Sequence, residues 1–130
     1  MFTIDTRSRI PIYEQLMSKL KELIIREVWK EDEQLPSVRS LAQDLTINPN
    51  TIQKAYRELE REGYIYSIPG KGSFVSPVKK EMSEERMMVL KKELERIVEE
   101  ILFLGVPKED VIRLIEKMDV PERGSENDNS

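Results

Sequence analysis

The sequence predicts a mainly α-helical fold with one small β-hairpin: a helix-turn-helix head that ends in the hairpin, followed by a C-terminal α-helical hairpin. Three observations lead there. Two short apolar-periodic segments, each opened by a capping residue, lie close together in the first half of the chain. A Gly-Lys-Gly tip then joins two β-rich runs. Beyond it, a long stretch rich in Glu, Lys and Leu repeats its apolar residues at alternating steps of three and four.

The first helix is expected between Pro11 and Val28, where Ile12, Leu16, Leu20, Leu23 and Ile24 form one core-facing side and Lys19, Lys21, Glu22 and Arg26 lie outside. It is scaffold. Tyr13, near its start, is read as a packing residue with a wet hydroxyl rather than a partner for a phosphate backbone. The second helix begins at Leu35-Pro36-Ser37, because Pro36 biases Leu35 away from helical angles and Ser37 offers a hydroxyl to the amides that follow. Val38, Leu41, Ala42 and Leu45 supply its buried face, and Thr46-Ile47 breaks it. Asn48 caps the third helix, Pro49 fills the first helical position, and Ile52, Ala55, Tyr56 and Leu59 make a new apolar face. Two short helices so closely joined match the helix-turn-helix plan. Gly63 then ends the helix, Tyr64-Ile65-Tyr66 opens a strand, and Ser73-Phe74-Val75 returns after Pro69-Gly70-Lys71-Gly72.

From Ser83 to Leu104 the positions Met87, Leu90, Leu94, Ile97, Ile101 and Leu104 form an a/d seam, widened by Val98 and Leu102. Gly105 stops this helix. Pro107 opens another, with Lys108-Glu109-Asp110 in its first turn and Val111, Leu114, Ile115 and Met118 as its apolar face. The organisation expected is therefore a head over 1–78, a helical dimerisation hairpin over 79–120, and a polar, frayed tail over 121–130. A hairpin folded back on its own head is the competing arrangement.

Composition removes several classes of function. With neither Cys nor His among 130 residues, the chain lacks a disulfide framework, the commonest metal ligand and the commonest general base. No catalytic, metal or cofactor site is expected. Glu58 and Glu62 could be proposed as a hydrolytic pair, yet they are neighbours on one exposed helix face with no pocket implied. Lys71 does not complete a nucleotide-binding P-loop, since Ile65 stands where its first Gly is needed and Gly72 where Ser or Thr is needed. No apolar run approaches the roughly 20 residues of a membrane helix, and the first residues do not read as a signal peptide. A cytoplasmic protein without membrane association is expected.

What remains points to nucleic acid. Asn50, Gln53, Lys54, Arg57 and Arg61 form a stripe along the third helix, with Thr51 beside it and the acidic Glu58, Glu60 and Glu62 toward the far end. In a helix-turn-helix the second helix enters the major groove, where Asn and Gln amides pair with adenine and Lys or Arg reach phosphates or guanine. The Gly-flanked Lys71 suits a minor groove or a phosphate. Net charge is −4, but residues 1–80 hold 13 Lys or Arg against 11 Asp or Glu, while 81–130 hold 8 against 14. A near-neutral reading head on an acidic support binds DNA if its cations cluster, because phosphate neutralisation is local.

The chain resembles the GntR family of winged-helix transcription regulators, and within it the short YtrA-like group. The resemblance is carried by Pro11-Ile12-Tyr13-Glu14-Gln15-Leu16, Leu35-Pro36-Ser37-Val38-Arg39-Ser40-Leu41-Ala42, Asn48-Pro49-Asn50-Thr51-Ile52-Gln53-Lys54-Ala55-Tyr56, Leu59-Glu60-Arg61-Glu62-Gly63 and Gly70-Lys71-Gly72-Ser73-Phe74-Val75. It implies operator contact by Arg39, by Asn50, Thr51, Gln53 and Lys54, and by Gly70, Lys71 and Gly72. With Arg57 from the stripe and the caps Ser37 and Asn48, these make up the expected DNA-binding set. Two residues depart from the family pattern. Glu27 and Asp32 stand where relatives usually carry glycines, so either the turn differs or the first helix is longer, and this acidic loop is not expected on DNA. The resemblance further implies a homodimeric repressor on a double-stranded operator, often of a neighbouring transporter operon. The rival reading is a non-catalytic module whose head docks a protein or an RNA. A drug-sized effector, whose existence the sequence leaves open, would need a site between subunits or between hairpin and head.

Overall fold

Pro11 precedes the first helix of the computed structural model, α1 (Ile12–Ile25), which buries Leu16, Leu20 and Ile24. The structure describes residues 2–77 and 80–121, the side chains of 80–83 excepted. Ile12 is exposed, so the buried face starts one turn later than its sequence pattern predicts. The helix also ends before the expected Val28. Glu27 takes a φ of 57°, and the amides of Glu27 and Val28 turn back to the carbonyls of Ile24 (3.1 Å) and Leu23 (2.9 Å), a Schellman closure followed by the buried Trp29. Asp32 has a φ of 62°. Both departures from the family pattern thus keep a left-handed backbone, and the longer first helix does not form.

Ser37 accepts the Ser40 amide at 3.0 Å and opens α2 (Val38–Leu45), which closes where Thr46 takes a φ of 55° and Ile47 donates to the Ala42 carbonyl at 3.0 Å. Asn48 accepts the Asn50 amide at 2.8 Å and opens α3 (Pro49–Arg61), whose Ile52, Ala55, Tyr56 and Leu59 are buried as expected. Gly63, at φ 88°, ends α3 in the same manner.

Strand β1 (Ile65–Ile68) pairs antiparallel with β2 (Gly72–Val75), Tyr66 opposite Phe74 with their rings stacked 5.5 Å apart. The loop before α2 adds a short third edge. Val75 donates to the Glu33 carbonyl at 3.0 Å, Leu35 donates to that of Ser73 at 2.9 Å, and Gln34 bridges Phe74. Leu16, Leu20, Leu41, Ile52, Leu59, Ile65 and Val75 close one core among the three helices and both strands.

This first unit ends at Pro77 and a second begins at Val78. There α4 (Lys80–Phe103) closes at Gly105, with φ 100°, and α5 (Lys108–Glu116) follows Pro107 with Glu109 and Asp110 in its first turn. Met118, expected on the apolar face, lies beyond the end of α5. No residue of this unit with a described side chain is buried. Most of the expected tail, from position 122 on, lies outside the described residues. No described helix is long and apolar enough to cross a membrane.

Candidate nucleic-acid interface

The two caps aim the first turns of α2 and α3 outward. Ser37 and Asn48 each use an oxygen to hold a backbone amide, which leaves the Ser37 hydroxyl hydrogen and the Asn48 side-chain NH2 as donors beside the helix starts. Asn50, Gln53, Lys54 and Arg57 are exposed on α3, Thr51 is half-buried, and Arg39 is exposed in the first turn of α2. Tyr56 fixes the angle between these elements. Its buried hydroxyl donates to the Pro36 carbonyl at 2.7 Å, and burial pushes the phenol's pKa well up.

Ion pairing occupies four cations of the head and leaves others, Arg7, Arg9 and Lys30 among them, without a carboxylate partner among the described residues. The cations of α1 and its end are paired: Lys19 with Glu22 (3.7 Å), Arg26 with Glu22 (3.7 Å) and Lys21 with Glu62 (3.2 Å). Arg61, the last residue of the expected stripe, is bound by Glu58, which raises its pKa. Arg39, Arg57 and Lys71 have no carboxylate partner among the described residues. The stripe available to a phosphate backbone therefore ends at Arg57, one turn short of its sequence pattern. Lys54 is held differently, with its ammonium 4.3 Å from the centroid of the half-buried Tyr13 ring, on the side of α3 that faces α1. Tyr13 lies outside the core cluster, and its ring carries the Lys54 ammonium. Burial raises its pKa, with the Glu58 and Glu62 charges adding to the rise.

Glu58 and Glu62 do not lie on a plain exposed face as the sequence suggests. They line a shallow groove with Tyr13, Met17 and Lys21, and the Glu62 side chain is only 8% exposed because Lys21 covers it. Each carboxylate holds a cation, so the pair serves as scaffold.

The hairpin tip is a Pro69-Gly70 turn in which the Lys71 amide donates to the Ile68 carbonyl at 2.9 Å and Gly70 takes a φ of 79°. Gly70, Lys71 and Gly72 are all exposed. Gly72 has a φ of 128°, and a Cβ there would lie 2.8 Å from Gln34 Nε2. That same nitrogen donates to the Lys71 carbonyl at 2.7 Å. Sequence reasoning missed Gln34. The available signal was its place before Leu35-Pro36, where the chain must be extended and therefore able to pair with a strand.

A model of bacterial regulatory proteins of the gntR family matches residues 12–75. The HTH-type transcriptional repressor YtrA of Bacillus subtilis (strain 168) is 38% identical over 125 residues, covering 95% of this chain and 96% of that protein. The chain belongs to the GntR family. It is a DNA-binding transcription regulator of the winged-helix type, α2 and α3 forming the helix-turn-helix and β1-β2 the wing. Among solved structures, a transcriptional antiterminator from Listeria monocytogenes EGD-e superposes on this GntR regulator with a TM-score of 0.78 and 36% identity, covering 90% of this chain and 88% of that one. The DNA-binding domain of AraR, solved in complex with operator ORX1, superposes with a TM-score of 0.54 and 26% identity over 58% of this chain and 96% of that domain. Family members are transcription regulators rather than enzymes.

Proposed function

We propose that this GntR-family regulator is a cytoplasmic, homodimeric repressor that binds a double-stranded operator of two half-sites, one beneath each head. The observation that carries the reading is the division of the cations. Arg39, Arg57 and Lys71, on α2, α3 and the wing tip, have no carboxylate partner among the described residues, whereas Lys19, Lys21, Arg26 and Arg61 each have a carboxylate within 4 Å. In this reading Asn50, Thr51 and Gln53 face base edges, Arg39, Arg57 and Lys71 hold phosphates, and Ser37 and Asn48 donate to the backbone beside the helix starts they cap. Lys54 reaches the backbone from its seat on Tyr13. Dimerisation is supported by the α4 seam, where Met87, Leu94 and Ile97 are exposed and Leu90 and Ile101 half-buried, with the exposed Leu104 in the turn just beyond the helix. Repression is supported by the name of the B. subtilis relative.

Selection of duplexes from random DNA by the full chain tests this directly. Enriched sequences should contain two related half-sites, and titration of the selected duplex should show log affinity falling linearly with log salt. Failure to enrich any duplex, or an affinity for selected DNA no greater than for random DNA, would overturn the operator reading.

A further inference from the structure

Glycines on both sides of Lys71 leave the peptide planes of the wing tip with little intrinsic preference, because neither neighbour has a Cβ to restrict rotation. Within the hairpin the tip is held by the Lys71 amide donating to the Ile68 carbonyl at 2.9 Å and by the pairing of Ile68 with Gly72. The Lys71 carbonyl accepts its hydrogen bond from outside the hairpin, from Gln34 Nε2 at 2.7 Å. Gln34 is itself anchored. Its backbone bridges Phe74, and its neighbours are tied to β2 through Leu35 to Ser73 (2.9 Å) and Val75 to Glu33 (3.0 Å). From there the side chain reaches along β2 past Gly72, whose missing Cβ leaves the space it occupies.

We propose that Gln34 is a positioning residue that fixes the peptide plane of Lys71 and so presents the Lys71 ammonium to the DNA backbone. The acidic loop before α2 then takes part in binding without touching DNA. Gly72 is required twice, for its φ of 128° and as the passage for the Gln34 amide. The inference rests on the wing-contact reading given under Proposed function.

A double-mutant cycle on the full chain, read by titration of the selected operator duplex across salt, tests both. Gln34→Met keeps length and shape but cannot donate. Loss of one exposed, ordering hydrogen bond should weaken binding about three- to tenfold. The same substitution in a Lys71→Ala background should change affinity little, because its effect passes through Lys71. Equal losses in the two backgrounds would overturn the proposal in favour of a general structural role. A loss for Lys71→Ala with none for Gln34→Met would overturn it while leaving wing contact intact. No loss for Lys71→Ala would remove both. A second measurement needs no DNA: nitrogen relaxation in the free protein should show faster local motion at Gly70, Lys71 and Gly72 in Gln34→Met, with β1 unchanged. Unchanged relaxation at the tip would also count against the proposal.

Discussion

Thr46 is a β-branched residue at a φ of 55°, placed there because the helix-turn-helix turn must close α2 and start α3 within three residues. Left-handed angles cost an L-residue about 1–2 kcal/mol, against about 0.5–1 kcal/mol of extra chain entropy for glycine. Thr46→Gly should therefore stabilise the head by about 0.5–1 kcal/mol, seen as a higher urea midpoint at constant slope. A lower midpoint would mean that the Thr46 side chain makes a compensating interaction. Tyr56 works in the opposite sense. Its hydroxyl holds the Pro36 carbonyl in a buried site, so Tyr56→Phe leaves that acceptor unmatched at a cost of about 1–3 kcal/mol. The two proteins should also differ with pH. The native phenol binds its proton more tightly than the unfolded one, so its stabilisation is full below the ordinary tyrosine pKa of 10.0 and declines as pH rises beyond it. Above that pH the wild-type midpoint should fall more steeply than that of Tyr56→Phe, and parallel slopes would deny the shift.

At the scale of elements, reading and anchoring separate onto different side chains. Asn50→Ala and Gln53→Ala remove uncharged amides from α3, so each should cost specific binding about 1–3 kcal/mol and leave random-duplex binding nearly unchanged. Arg39→Ala on α2 removes a charge, so it should weaken binding to all sequences and reduce the salt slope by about one unit. Equal losses on selected and random duplexes for both amide variants would reject base reading, and an unaltered slope would remove Arg39 from the phosphates. The helices that carry these residues were legible in the sequence because their signals are local. Ser37 and Asn48 cap within three residues of themselves, Pro49 marks the first turn, and the buried face of α3 follows one periodicity. What stayed hidden depends on partners far along the chain. Glu33 and Leu35 pair with a strand about forty residues later, which made Gln34 look like an ordinary loop residue. Lys21 reaches Glu62, which turned an apparently exposed carboxylate into a covered one. Glu27 and Asp32 hide a left-handed backbone that a glycine would have announced.

For the whole molecule, the acid is concentrated in the second part of the chain: residues 81–130 hold 14 Asp or Glu against 8 Lys or Arg. One head nearly balances its charge, with 13 Lys or Arg against 11 Asp or Glu over residues 1–80, so its grip on DNA is modest, and linking two heads makes the second binding event effectively intramolecular. The second unit holds the apolar residues suited to that linkage. None of its described side chains is buried, and Leu94 and Leu104 are 54% and 74% exposed. A helix with such a seam gains most by covering it with a copy of itself, so the free protein should sediment as a dimer. Replacing Leu94 and Ile101 together with Glu inserts two carboxylates into that seam on each chain, which should cost several kcal/mol per dimer by leaving charge desolvated and unpaired. The double variant should sediment as a monomer with its head still folded, because the core built on Leu16, Leu41, Ile52 and Leu59 includes no residue of α4. Operator affinity should drop steeply while single half-sites bind as before. A wild-type chain that sediments as a monomer at micromolar concentration would refute seam dimerisation, and the heads would then have to meet on DNA alone.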